Sequence, residues 1–179
     1  MELFEVKGDL SRPETFLTSE QISDADMIIL AHQTNCYGVM GAGVALALRK
    51  AYPEIYPKYK DLCSEVERRS STEVNYIPSI AGRCQLCTTD NPRLIIANLF
   101  GQVSYDSTFR QTNYEMIYRA LNQLKCALSG TFDNRIVAFP KNMSSALAGG
   151  TWEIILQMIK SIFGQTSLSI YIVDYDPTV

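Results

Sequence analysis

The chain has 179 residues, 46% of them hydrophobic and 20% charged, and a net charge of −3. A chain of this length buries roughly 70% of its unfolded surface, so one core forms without disulfide or metal staples, and the composition excludes a disordered or coiled-coil protein. No apolar run approaches the roughly 18 residues of a membrane span, the N-terminus lacks the order of a secretory signal, and the slight acidity opposes a broad basic nucleic-acid surface.

In chain order the pattern alternates strand and helix, which predicts an α/β domain spanning 1–179. A strand is expected over Leu3–Val6, then a short helix or loop over Pro13–Ser23. The continuous apolar run Met27–Ala31 reads as a buried central strand. A glycine-rich turn leads into a helix over Gly43–Ala51, ended by Tyr52-Pro53, and Glu54–Glu67 is helical in part. The polar stretch Arg68–Gly82 reads as a mobile loop. Strands follow at Cys84–Thr88 and Arg93–Phe100, the latter after an Asp90-Asn91-Pro92 turn. Asn113–Leu128 is an amphipathic helix with Tyr114, Ile117, Leu121, Leu124 and Leu128 on one stripe. Arg135–Phe139 is an inner strand, and the helix after it carries Trp152, Ile155, Leu156, Ile159 and Phe163 on one face. Leu168–Val173 closes the sheet.

Three segments sit just past strand C-termini, where open α/β sheets place their ligands. The first runs from His32 through Asn35 to Gly38, Gly41 and Gly43 and opens a helix, whose first N–H groups are unpaired and suit an anion. Its GxxGxG order is neither the dinucleotide fingerprint nor a P-loop. The second, Lys141–Gly150, is a small-residue loop that also opens a helix. Together the two loops suit a ligand with two phosphates. The third is Lys7-Gly8-Asp9-Leu10, where Asp9 either accepts from an exocyclic amine or closes an Asx turn. His32, the sole histidine, is either structural or a proton carrier with a pH limb at the ordinary imidazole value, roughly 6–7. Tyr105, Asp106 and Arg110 belong to a loop at the same rim. Of five cysteines, read as cytosolic thiols, Cys84 and Cys87 form one isolated CxxC; zinc would need further ligands, so they are read as ordinary strand cysteines and no metal is expected.

These residues resemble the macrodomain family, closest to its ADP-ribose 1″-phosphate phosphatase branch. The resemblance is carried by Val6–Leu10, by Ala31–Cys36 through Met40–Ala45, by Ala97–Gln102, by Thr112–Tyr114 and by Ala146–Trp152, in family order over almost the whole chain. It implies a three-layer α/β/α sandwich with a central mixed, mostly parallel sheet. It also implies a hydrolase that releases phosphate from ADP-ribose 1″-phosphate, with no cofactor. The alternatives are a mono-ADP-ribosyl hydrolase acting on a modified macromolecule and a reader that binds ADP-ribose without turnover. By resemblance, His32 and Asn35 are catalytic. Asp9 and Leu10 receive adenine, Gly41, Gly43 and Val44 wrap the distal ribose and a phosphate, and Ser144, Ser145, Ala146, Leu147, Ala148 and Gly149 hold the diphosphate. The expected compartment is the cytoplasm, with the nucleus as alternative. The chain departs from the branch where Ser144 and Ala146 replace glycines, which is expected to restrict the backbone, and where Thr151 replaces an aspartate. Gly101 and Gln102 occupy the stretch that carries a lysine nucleophile in one related hydrolase group.

Overall fold

The computed structural model describes residues 1–70, 78–105, 108–130 and 134–179, with side chains omitted over 65–70. Six strands form one sheet: β1 (Glu2–Gly8), β2 (Met27–Gln33), β3 (Cys84–Thr88), β4 (Leu94–Leu99), β5 (Arg135–Pro140) and β6 (Ser169–Tyr175), in the order β1-β6-β5-β2-β4-β3. All neighbours run parallel except β3, which lies antiparallel on the β4 edge.

The inner strands are apolar throughout because both of their faces are covered. In β2, Ile29 and Ala31 join one core with Val137, Phe139, Ile170 and Ile172, closed by α4 (Tyr114–Ala127) and α5 (Trp152–Phe163). The alternate residues Ile28 and Leu30 join a second core with Ile96, Ala138 and Val173, closed by α2 (Gly43–Ala51) and the start of α3 (Ile55–Ser70). Ile22 of α1 (Ser19–Asp24) packs against this second core. The result is an α/β/α sandwich.

Local signals set the helix starts. Thr18 and Gln21 form a reciprocal capping box on α1. Asn113 caps α4 by accepting from Met116 N. Neither α2 nor α5 has a side-chain cap.

Two expectations change. The segment Arg68–Gly82, expected as a mobile loop, is helical at its start, since α3 continues to Ser70. Residues 71–77 lie outside the described ones, and Ile80 and Ala81 are buried beside Tyr59 and Phe100, so that end of the segment is core. The last strand does not end the sheet: β6 sits between β1 and β5, and the edges are β1 and β3.

Candidate active site

The C-terminal ends of β2 and β5 carry the two loops that face each other. β2 runs two residues further than its apolar core suggests, so His32 is a strand residue, 2% exposed, rather than a loop residue. Its Nε2 lies 2.8 Å from Asn98 Oδ1 on β4, while Nδ1 has no protein partner. Burial depresses its pKa to about 4, against the opposing effects of the hydrogen bond to Asn98 and of the Gln33 backbone. The resting ring is therefore neutral at neutral pH, with one nitrogen free to accept a proton.

Asn35 builds the loop rather than projecting from it. Its Oδ1 accepts from Tyr37 N at 3.0 Å, Val39 N at 3.2 Å and Tyr59 Oη at 3.1 Å, and its Nδ2 donates to Val39 O at 2.7 Å. One Nδ2 hydrogen remains for a ligand. Gly38 and Gly43 take left-handed φ values of 74° and 54°. Gly41 does not; a Cβ there would meet only Val39, at 3.8 Å. The uncapped first turn of α2 presents the N–H groups of Gly43, Val44 and Ala45 to the cleft.

Opposite, the loop after β5 is folded by its own backbone: Ser145 N donates to Asn142 O and Gly150 N to Ser144 O, at 3.1 and 2.7 Å. Among the described residues, the N–H groups of Ser144, Ala146, Leu147, Ala148 and Gly149 donate to no protein acceptor. Ser144 occupies the left-handed region at φ 70°, as a glycine would, and Ala146 does not. The expected restriction therefore falls on Ser144 alone. Its Oγ donates to Gln33 Oε1 at 2.5 Å, and Gln33 Nε2 donates to Gln102 Oε1 and Thr112 Oγ1 at 2.5 and 3.1 Å. This amide network ties the two loops together. A Cβ at Gly101 would lie 2.6 Å from Gln33 Oε1 and displace that side chain from the network.

Between the loops lies a cleft of about 320 Å³. His32, Asn35, Gly41, Gly43, Val44, Ser144, Ala146, Leu147, Ala148 and Tyr105 all line it. A second cavity of about 370 Å³ adjoins it through the shared residues Gly43, Val44, Pro140 and Lys141. Asp9 and Leu10 line this second cavity with Val173 and Tyr175. Asp9 Oδ1 closes the Asx turn, accepting from Ser11 N and Ser11 Oγ at 2.9 and 2.7 Å. Its other oxygen has no protein donor among the described residues, so the Asx turn is formed and one acceptor stays open to a ligand. Ser145 and Gly149 do not line the cleft: Ser145 Oγ turns back to Asn142 O, and Gly149 (φ 67°) packs against Arg110. Arg110 lies over the Tyr114 ring, 5.1 Å from its centroid. Asp106 lies outside the described residues.

Sequence reasoning missed Lys141, Gln33 and Thr34. Among the described residues, Lys141 is the one charged side chain that lines the main cleft, held at 2.8 Å by Asp174 Oδ2, which raises its pKa. No carboxylate lines that cleft among the described residues. A surface lysine or a strand glutamine carries no local signal; only the β5–β6 and β2–β4 pairings place these two.

Among the described residues, no helix is long and apolar enough to cross a membrane, and no group of three or more His, Cys, Asp or Glu side chains could hold a metal.

The architecture, with its paired loops at one end of the sheet, is that of a macrodomain. Solved macrodomains from Streptomyces coelicolor and of Mycobacterium tuberculosis DarG superpose with TM-scores of 0.66 and 0.68, each over 98% of this chain, covering 99% and 97% of theirs, at 23% and 22% identity. Thermosipho africanus DarTG, solved in complex with ADP-ribose, superposes at 0.63 over the whole chain and 43% of its own, at 16% identity. No family model matches. In sequence the chain is similar to the ADP-ribose 1″-phosphate phosphatase of Scheffersomyces stipitis, 38% identical over 60 residues, which are 34% of this chain and 31% of that protein. It is also similar to the phosphatase of the same name from Saccharomyces cerevisiae, 23% identical over 93% of this chain and 96% of that one. The DNA ADP-ribosyl glycohydrolase of Mycobacterium tuberculosis is 42% identical over 43 residues, 24% of this chain and 12% of that protein.

Proposed function

We propose that the protein is an ADP-ribose 1″-phosphate phosphatase. The observation that carries this reading is the charge pattern of the cleft: two facing rows of unpaired N–H groups and one lysine, with no carboxylate among the described lining residues. Such a site suits a polyanion. Asp9 lines the adjoining cavity, and its free oxygen supports this reading as the acceptor we assign to the adenine amino group. Two relatives bear the name of this activity.

In the reaction, water attacks phosphorus. A new P–O bond forms and the bond from phosphorus to the C1″ oxygen breaks; that oxygen takes a proton from solvent and leaves as the hydroxyl of ADP-ribose, while the proton that the attacking water gives to His32 returns to solvent. His32, neutral, accepts from the attacking water. The N–H groups of Gly43–Ala45 and Ala146–Ala148, with Lys141, face the charge on phosphorus and the diphosphate. The five free thiols suit a reducing cytoplasm, and 1–179 acts as one domain.

The test is incubation with ADP-ribose 1″-phosphate and, in parallel, with ADP-ribosylated DNA and protein, assaying free phosphate and free ADP-ribose. Phosphate release is expected. Release of ADP-ribose alone would make the protein a de-ADP-ribosylating hydrolase, a reading favoured by the glycohydrolase similarity. Binding without turnover would make it a reader.

A further inference from the structure

Behind the cleft, a chain of amides ends on His32. The carbonyl of Lys58 on α3 can only accept. Gln85 Nε2 donates to it at 3.0 Å, which turns Gln85 Oε1 toward β4. That oxygen accepts from Asn98 Nδ2 at 3.0 Å, and Cys87 Sγ lies 3.6 Å from the same nitrogen. With its nitrogen so committed, Asn98 presents Oδ1 to His32 Nε2 at 2.8 Å. An amide oxygen only accepts, so Nε2 must carry a hydrogen. Asn98 is fully buried, so no solvent molecule relieves the opposite arrangement.

The neutral ring has one proton, and the amide chain assigns it to Nε2. Nδ1 is then bare, and it has no hydrogen-bond partner in the protein although buried. Thr34 Oγ1, two residues on and also lining the cleft, is likewise buried without a partner. Two orphaned polar atoms at the floor of one cleft call for a donor from outside the chain.

We infer that Asn98, oriented by Gln85, is a positioning residue that fixes His32 as the Nε2–H tautomer and keeps the Nδ1 lone pair as the acceptor for the water or hydroxyl bound in the cleft. The catalytic part of this inference rests on the phosphatase reading; the tautomer does not. Cys87 thereby gains a part that the CxxC spacing does not suggest, as a weak second acceptor for the Asn98 amide nitrogen.

Because His32 is the only histidine, a sample labelled with ¹⁵N-histidine gives a single imidazole spectrum. At pH 7 the expected result is a protonated Nε2 and a bare Nδ1, in an excess of roughly tenfold or more. The variant Gln85→Leu removes the anchor from a partly exposed edge strand, where the fold tolerates it. It is expected to move the ring toward the Nδ1–H form and to lower kcat for phosphate release about tenfold, with KM changed less than twofold. A parent ring protonated on Nδ1 would overturn the inference, as would a Gln85→Leu ring with an unshifted tautomer. If the tautomer behaves as expected but neither protein releases phosphate, the tautomer lock stands and the phosphatase reading falls.

Discussion

A buried imidazole that gains its second proton only near pH 4 changes what pH does to the reaction. Sequence reasoning puts a limb of the pH–rate profile near 6–7; the structure moves it to about 4, with activity falling as pH drops through that value because the acceptor is lost. A profile of phosphate release from pH 3.5 to 8 checks this. His32→Ala is expected to cut the rate by about 10²–10⁴ while changing ADP-ribose affinity by less than ~1 kcal/mol. At Asp9, Asn is the informative replacement, because it keeps the Oδ1 acceptor that closes the turn on Ser11. Asp9→Asn should weaken ADP-ribose by about 1–3 kcal/mol, from a parent affinity in the micromolar range (roughly −8 kcal/mol), with the melting temperature preserved; calorimetry and a thermal melt separate the two. Ser144 combines left-handed strain with a 2.5 Å hydrogen bond to Gln33. Ser144→Gly relieves the first and loses the second, about 1 kcal/mol each, so urea denaturation should show a net change within about 0.5 kcal/mol. Ser144→Ala loses only the bond and should cost about 1 kcal/mol.

At the scale of elements, the two anion loops differ in how they are held. Gly43 has open space where a Cβ would stand, so Gly43→Ala costs only its positive φ, about 1 kcal/mol. Gly150 is confined: a Cβ there would sit 2.6 Å from the carbonyl oxygen of Ser144, backbone that cannot swing aside. Gly150→Ala should destabilise by about 1–3 kcal/mol and weaken ADP-ribose binding more than Gly43→Ala does, as denaturation and calorimetry on the pair would show. The elements were largely legible beforehand: α2 and β3 have the expected bounds, and the Leu94–Leu99 and Arg135–Pro140 strands differ from expectation by a residue at each end or fewer, because continuous apolar runs admit few readings. The paired loops were legible because glycine and small residues follow those runs. What the sequence concealed were contacts between distant strands. Gln33, Lys141 and Asn98 acquire their partners through β2–β4, β5–β6 and β3–β4 pairing, and nothing in a polar side chain's own neighbourhood announces such a partner. His32 escaped in part for the same reason: its burial follows from two strand residues that the apolar run did not include.

For the whole molecule, the same histidine links folding to acidity. Its folded pKa, about 4, lies below the ordinary value of 6.5, so between these the unfolded chain binds the extra proton. This contribution to stability is complete above pH 6.5 and is lost as pH falls toward 4, to a total of about 3 kcal/mol. Denaturation midpoints of the parent and of His32→Gln at pH 7 and pH 4.5 should show the parent losing more. A different consequence follows from the strand order. β1 touches the sheet only through β6, and Met1 bonds Thr166 across a separation of 165 residues. The turn bearing Asp9 and Leu10 hangs from that edge, whereas His32, Asn35 and both anion loops belong to strands in the middle of the sheet. On the proposed assignment of Asp9 and Leu10 to the nucleobase, detaching β1, by fraying or by cleavage near its end, would strip the molecule of nucleobase discrimination while leaving the proposed phosphate loops in place: a broken copy would still capture pyrophosphates, indifferent to what they carry.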